Sequence, residues 1–90
     1  MKIKIANHAA SALKKIPAPV RIELLASIKT LEANPFPPPP KGKRLAGMRP
    51  ITFRLRVGDY RVIYREIESE LVVLSVLHRK DLETEIKKLR

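Results

Sequence analysis

Arg54, Arg56 and Arg61, with Arg79 further along the chain, are the side chains best suited to chemistry on an anion, and their spacing decides where they meet. A guanidinium stays charged at any working pH and presents a planar fork of donors that matches a phosphate or a carboxylate. The stretch Phe53-Arg54-Leu55-Arg56-Val57-Gly58-Asp59-Tyr60-Arg61-Val62-Ile63-Tyr64 reads as a β-hairpin about a Gly58-Asp59 turn, with Gly58 free to take positive φ. In that register Val57 faces Tyr60, Leu55 faces Val62 and Phe53 faces Tyr64 on an apolar side. The other side sets Arg56 opposite Arg61 and Arg54 opposite Ile63, with Arg65 following. Like charges opposed on neighbouring strands repel, so the arrangement favours an anion between them. On charge alone, a solvated outer face of the hairpin serves equally well.

Cleavage of RNA by its own 2′-hydroxyl makes three demands: deprotonating that hydroxyl, stabilising extra negative charge on the phosphorane, and protonating the departing 5′-oxygen. Arg54, Arg56 and Arg61 suit the second. His78 carries an imidazole, a group able to move a proton in either direction near neutrality, and Glu83 is the next candidate base along the chain. A lone histidine at a strand end serves as readily as a surface hydrogen-bonding group, and Tyr60 and Tyr64 fall on the core side, where packing competes with base stacking. Other chemistries lack their residues. There is no cysteine, and His8 and His78 come without a compact set of carboxylates, so no metal is expected. Gly42, Gly47 and Gly58 form no phosphate loop, and Ser11, Ser27, Ser69 and Ser75 sit in ordinary contexts, so no cofactor is expected either.

The 90 residues, 44% of them hydrophobic, fit a single domain spanning 1–90. The net charge of +10 is uneven: residues 41–65 hold Lys41, Lys43, Arg44, Arg49, Arg54, Arg56, Arg61 and Arg65 against Asp59 alone. Such a field suits nucleic acid, an acidic protein or an anionic membrane surface. No run approaches the roughly 18 apolar residues of a membrane span, and Met1-Lys2-Ile3-Lys4-Ile5 alternates instead of forming a signal-peptide core, so a cytoplasmic protein without a membrane partner is expected.

These side chains need a scaffold. Residues 2–6 read as a strand with Ile3 and Ile5 inward. A helix follows from 7 or 8 to 16, carried by Ala9, Ala12, Leu13 and Ile16, and Pro17 ends it. A second helix opens near Pro19 and buries Leu24, Leu25, Ile28 and Leu31 until Asn34-Pro35, making a helical hairpin. Residues 37–40 read as a polyproline II connector and Lys41-Gly42-Lys43-Arg44 as a basic turn. The β-hairpin starts at 51 or 52 and reaches 67, and a third strand over 71–77 turns Val72, Leu74 and Val76 to the core and Val73, Ser75 and Leu77 away. Asp81 or Thr84 caps a terminal helix bearing Leu82, Ile86 and Leu89. The expected class is α+β: a small antiparallel sheet, of an N-terminal strand and a three-strand meander, packed on a helical hairpin, with a short C-terminal helix.

Three segments, Leu45-Ala46-Gly47-Met48, the arginine hairpin from Arg54 to Tyr64, and Val76-Leu77-His78-Arg79-Lys80-Asp81, occur in the order and at the spacing of motifs in a known family. On them, and over nearly its whole length, the chain resembles the RelE/ParE toxin superfamily of bacterial and archaeal toxin–antitoxin systems. The resemblance implies a RelE-like microbial RNase fold and a type II toxin that cleaves mRNA, in RelE-like members usually in the A site of the 70S ribosome, without metal or cofactor. It implies a cognate antitoxin, acidic in part, that covers the basic face, with promoter DNA bound only through the toxin–antitoxin complex. Carried over by position, Arg61 matches the arginine beside the scissile phosphate and Arg79 the one at the leaving group. Arg54 stands where a lysine often stabilises the transition state, and Arg56 matches a frequent basic neighbour. Lys41, Lys43, Arg44, Arg56, Arg65 and Lys80 are the candidates for RNA-backbone contacts. Two positions depart from the pattern. Thr52 replaces a lysine, and the tyrosine expected soon after the His-Arg-x-Asp segment is missing, with Glu83 near its place. Either Glu83 or His78 then takes over proton transfer, or the chain is a weakly active homologue that keeps only antitoxin or RNA binding. The rival within the superfamily is a ParE-like inhibitor of DNA gyrase.

Overall fold

Pro17 and Pro19 divide two helices, Gly58-Asp59 divides two strands, and around these breaks the computed structural model of residues 1–89 forms a five-stranded sheet with helices on both faces. The elements run β1 (Lys2–Ile5), α1 (Asn7–Lys14), α2 (Ala18–Thr30), β2 (Gly42–Leu45), β3 (Thr52–Val57), β4 (Tyr60–Ile67), β5 (Glu70–His78), a 3₁₀ turn (Arg79–Asp81) and α3 (Leu82–Leu89). Pro19 lies in the first turn of α2, where a missing N–H is harmless. The class is α+β, and the strand order is β1-β5-β4-β3-β2.

Two features of the sheet differ from expectation. β1 pairs with β5 in parallel, Lys2 opposite Glu70 and Ile5 opposite Val73, so the sheet is mixed and not wholly antiparallel. No tight turn joins these strands, and the α1–α2 excursion leaves their direction free of the hairpin rule. The basic segment read as a turn is a fifth strand, β2, with Gly42 opposite Leu55 and Lys43 opposite Arg54. Glycine and lysine are poor strand formers, which hid it. Gly42 is there for space: an added Cβ would run into the Pro37 carbonyl oxygen and ring. The proline run is not a straight spacer either, since the Pro38 carbonyl accepts from the Gly42 amide and closes a turn over 39–41.

The main core lies between the sheet and α1–α2. Ala9, Leu13, Ile16, Leu24, Ile28 and Leu31 pack on Leu55, Val57, Val62, Tyr64, Leu71, Val73 and Val76. On β5 this reverses part of the expected alternation, because Val73 is buried in the core while Val72 and Leu74 are only half-buried. The cause is a bulge at Ile63/Tyr64, where the partner residues step from Ser75 to Val73 and shift the parity of β5. A smaller cluster on the opposite sheet face joins Leu45, Met48 and Ile63 to Leu77 and to Leu82, Ile86 and Leu89 of α3. α3 is entered through the 3₁₀ turn, which is capped by His78 Nδ1 accepting from the Lys80 amide, and not by Asp81 or Thr84. Among the described residues no helix is long and apolar enough to cross a membrane.

Tyr64 ties this scaffold to the proline segment: its hydroxyl donates to the Pro35 carbonyl at 2.8 Å, and its ring stacks 5.6 Å from Phe53. Burial pushes its phenol up to about 12. The fold thus favours the neutral phenol, so its contribution is complete below the unfolded value of about 10 and is lost as pH rises towards about 12. Wild type is expected to lose up to about 2 kcal/mol more than Tyr64→Phe across that window, measured by urea denaturation at each pH.

Candidate functional site

The β3–β4 register is the one that sorts the arginines: Phe53 opposite Tyr64, Arg54 opposite Ile63, Leu55 opposite Val62, Arg56 opposite Arg61 and Val57 opposite Tyr60. Gly58 holds φ of 57°, which the two-residue turn demands. Because Ile63 and Leu77 pair with Arg54 and Arg61 and lie under α3, the arginine rows occupy the α3 side of the sheet, beside that helix. Lys43, opposite Arg54, extends the row towards the β2 edge.

Backbone carbonyls hold these cations in place. Arg61 Nη1 donates to the carbonyls of Gly58 and Tyr60 at 2.9 and 2.8 Å. Arg54 Nη1 donates to the Pro40 carbonyl at 3.2 Å, and the Arg56 amide donates to the Lys41 carbonyl at 2.7 Å. Arg79 reaches the same corner from the end of β5. Its amide donates to the Asp59 carbonyl at 2.7 Å, and its Nε lies 3.6 Å from Asp59 Oδ1. That contact is the only ion pair among the described residues, and both partners are largely exposed.

The electrostatics show how crowded the corner is. The Arg61 guanidinium is held below the ordinary arginine range by burial first, then by Arg54, Arg56 and Arg79, with Asp59 opposing them. Arg54 is lowered by burial and then by Arg56. A guanidinium has no accessible neutral form, so this repulsion is relieved by an anion, not by proton loss. One carboxylate among four guanidinium groups leaves the corner strongly positive, a field that suits a phosphate.

The other candidates are scattered. Lys41, Lys43 and Arg44 are exposed around β2, with Arg44 opposite Phe53 and so on the other face. Arg65 turns inward. Its Nε donates to Oγ1 of the buried Thr52 at 2.8 Å and its Nη2 is buried without a partner, which makes it part of the sheet more than of the open corner. Thr52, at the position of the missing lysine, serves as that acceptor. His78 pairs across from Tyr60 and packs edge-on against its ring at 5.6 Å, so it shares the side of the main core and not that of Arg61. Its Nδ1 is engaged by the Lys80 amide at 3.2 Å, while the Lys80 side chain is exposed. Glu83 is exposed in the first turn of α3, whereas Glu85 faces the sheet and accepts from the Ser75 hydroxyl at 2.9 Å. The structure thus brings Arg54, Arg56, Arg61 and Arg79 together and turns His78 to the core side, away from Arg61. Sequence reading missed Asp59 as the counter-charge and the turn carbonyls as anchors, because neither backbone acceptors nor the path of Arg79 has a sequence signature. Among the described residues no three histidine, aspartate or glutamate side chains gather as a metal site.

Comparison with known proteins places the geometry in context. Residues 3–83 match a family model described as the ParE toxin of the type II toxin–antitoxin system parDE. The chain is 28% identical to a chain of the archaeal RelE–RelB complex from Pyrococcus horikoshii, with a TM-score of 0.73 over 87% of this chain and 93% of that one. It is 27% identical to a chain of the RelBE2 toxin–antitoxin complex from Mycobacterium tuberculosis, with a TM-score of 0.71 over 87% and 96% of the two chains. The YoeB/ParE toxin from Agrobacterium tumefaciens, at 19% identity and a TM-score of 0.71 over 87% and 98%, shares the fold. Among curated proteins no sequence matches.

Proposed function

This chain belongs to the ParE toxin family of type II toxin–antitoxin systems, and on that footing we propose that it is a metal-independent endoribonuclease that cleaves mRNA in the ribosomal A site and so arrests translation in the cytoplasm. A cognate antitoxin is its protein partner, as in the RelE–RelB complexes it resembles. The observation that carries the RNase reading is the cross-strand pair Arg56–Arg61 with Arg54 and Arg79 at the same corner.

In this mechanism the scissile phosphate sits between Arg56 and Arg61. The 2′-oxygen attacks phosphorus as its proton leaves, the P–O5′ bond breaks, and the products are a 2′,3′-cyclic phosphate and a 5′-hydroxyl end. Arg54, Arg56 and Arg61 stabilise the extra charge on the phosphorane, and Arg79 stabilises or protonates the departing oxygen. Proton transfer is assigned to His78, through the Nε2 that Lys80 leaves free, or to Glu83. His78 stands on the core side of β5, off the arginine rows, so the charge stabilisation rests on the arginines alone. Lys41, Lys43 and Lys80 contact the RNA backbone, whereas Arg44 lies on the other face and Arg65 is turned inward onto Thr52.

The second reading, a ParE-like inhibitor of DNA gyrase, is favoured by the family model itself and by the absence of any tyrosine beyond Tyr64. Expression in cells separates the two. Mapping of mRNA ends is expected to show new 5′-hydroxyl ends within open reading frames, whereas trapped gyrase–DNA complexes with intact mRNA would establish the gyrase reading.

A further inference from the structure

At the far end of β4 the sheet carries a site of the opposite sign. Phe36, Pro50, Ile51, Phe53, Glu66 and Glu68 line an open cavity of about 350 Å³. It is apolar at heart: the Phe36 ring lies 4.8 Å from that of Phe53, yet Phe36 and Ile51 remain 42% and 46% exposed. Its rim is acidic. Glu66 shares the Tyr64 side of β4, and Glu68 is set by a two-residue turn in which Glu68 and Ser69 hold φ of 51° and 66° without being glycine. Neither carboxylate has an ion-pair partner among the described residues, although the chain carries +10.

Two unpaired carboxylates beside exposed apolar side chains repel a phosphate backbone and attract a cation on an apolar stem. The groove lies about 17 Å along β4 from Arg61 and on the other face of the sheet, so both sites can be filled at once. We propose that this groove anchors one Lys or Arg, next to an apolar side chain, from the cognate antitoxin. The inference rests on membership of the toxin–antitoxin family and is independent of the RNase reading. A segment that neutralises the arginine corner must itself be acidic there, and many registers of an acidic segment would satisfy four guanidinium groups about equally. The groove breaks that degeneracy. It rejects acidic stretches and accepts a basic residue at one distance from them, which fixes the direction and register in which the antitoxin wraps.

The complex with the antitoxin encoded beside this gene supplies the test. Glu66→Lys with Glu68→Lys is expected to raise Kd by about tenfold or more in calorimetric titration, and changing the antitoxin's anchoring Lys or Arg to Glu is expected to restore it to within about threefold. Hydrogen exchange in the wild-type complex is expected to protect residues 50–53 and 66–68. If the charge-reversed chain fails to fold, Glu66→Gln with Glu68→Gln removes the charge and is read in the same way. Unchanged affinity without protection overturns the proposal, as does protection by an antitoxin segment that a structure of the complex shows to lack Lys and Arg. Without antitoxin, the charge-reversed chain is expected to arrest growth as wild type does, whereas failure of the RNase reading would appear as intact mRNA in both.

Discussion

Arg61→Ala is expected to lower mRNA cleavage by about 100- to 1,000-fold, which corresponds to about 3–4 kcal/mol of lost transition-state stabilisation. Of the four clustered guanidinium groups, Arg61 is the one on which the charges of all the others converge, and it is half-buried, where charge acts with less screening. Its Nη1 is already fixed by the Gly58 and Tyr60 carbonyls, so little reorganisation is needed as charge builds on phosphorus. Removing it frees two carbonyls that water can satisfy at the hairpin tip, so the melting temperature is expected to change little. Arg61→Lys keeps the charge but loses the fork and is expected to fall between alanine and wild type. Quantifying cleaved ends by primer extension measures this. Equal cleavage by wild type and Arg61→Ala would remove Arg61 from the mechanism.

Leu55→Ala is expected to remove about 3–5 kcal/mol of folding stability, the effect of truncating a leucine in a core that cannot collapse around the cavity. Leu55 is 0% exposed and sits on β3 between Arg54 and Arg56, facing Val62 across the hairpin and the helices beneath. A domain of this size has roughly 5–10 kcal/mol in total, so the melting temperature should fall by about 15–30 °C. Cleavage should then fail through loss of the fold, at temperatures where the chain unfolds, and persist well below them. Guanidinium denaturation with an unchanged m-value checks the stability change. A loss under about 1 kcal/mol would mean that the neighbours close over the gap.

The β-hairpin was fully legible in the sequence, since strict alternation and one glycine at a two-residue turn leave a single register that buries Val57, Leu55 and Val62. The helical hairpin was legible for a similar reason: prolines punctuate it and Leu13, Leu24, Ile28 and Leu31 lie buried as their spacing implies, although Leu25, expected among them, is 42% exposed. Features set by distant partners were not legible. The bulge that inverts Val72 and Val73 depends on how β5 fits β4, and the parallel pairing of β1 depends on where α1 and α2 leave the chain. β2 is a strand because β3 offers it an edge, not because Gly42, Lys43 and Arg44 prefer one. In the site, alternation placed Arg54, Arg56 and Arg61 correctly on one face. The same alternation, counted from Val76, puts His78 on the core side, and only the Tyr60 pairing makes that plain.

The parallel pairing of β1 with β5 also bears on how the molecule comes into being. Lys2 can find Glu70 only after the 67 residues between them have been made, so β1 docks later than the hairpin strands β3 and β4 can pair. Closing so long a loop costs more chain entropy than zipping β3 to β4 across two residues, so the hairpin forms early and the sheet is sealed late. During synthesis the arginine face therefore precedes the edge that completes the sheet, and a partner that binds the nascent hairpin would meet its basic surface before β1 has docked.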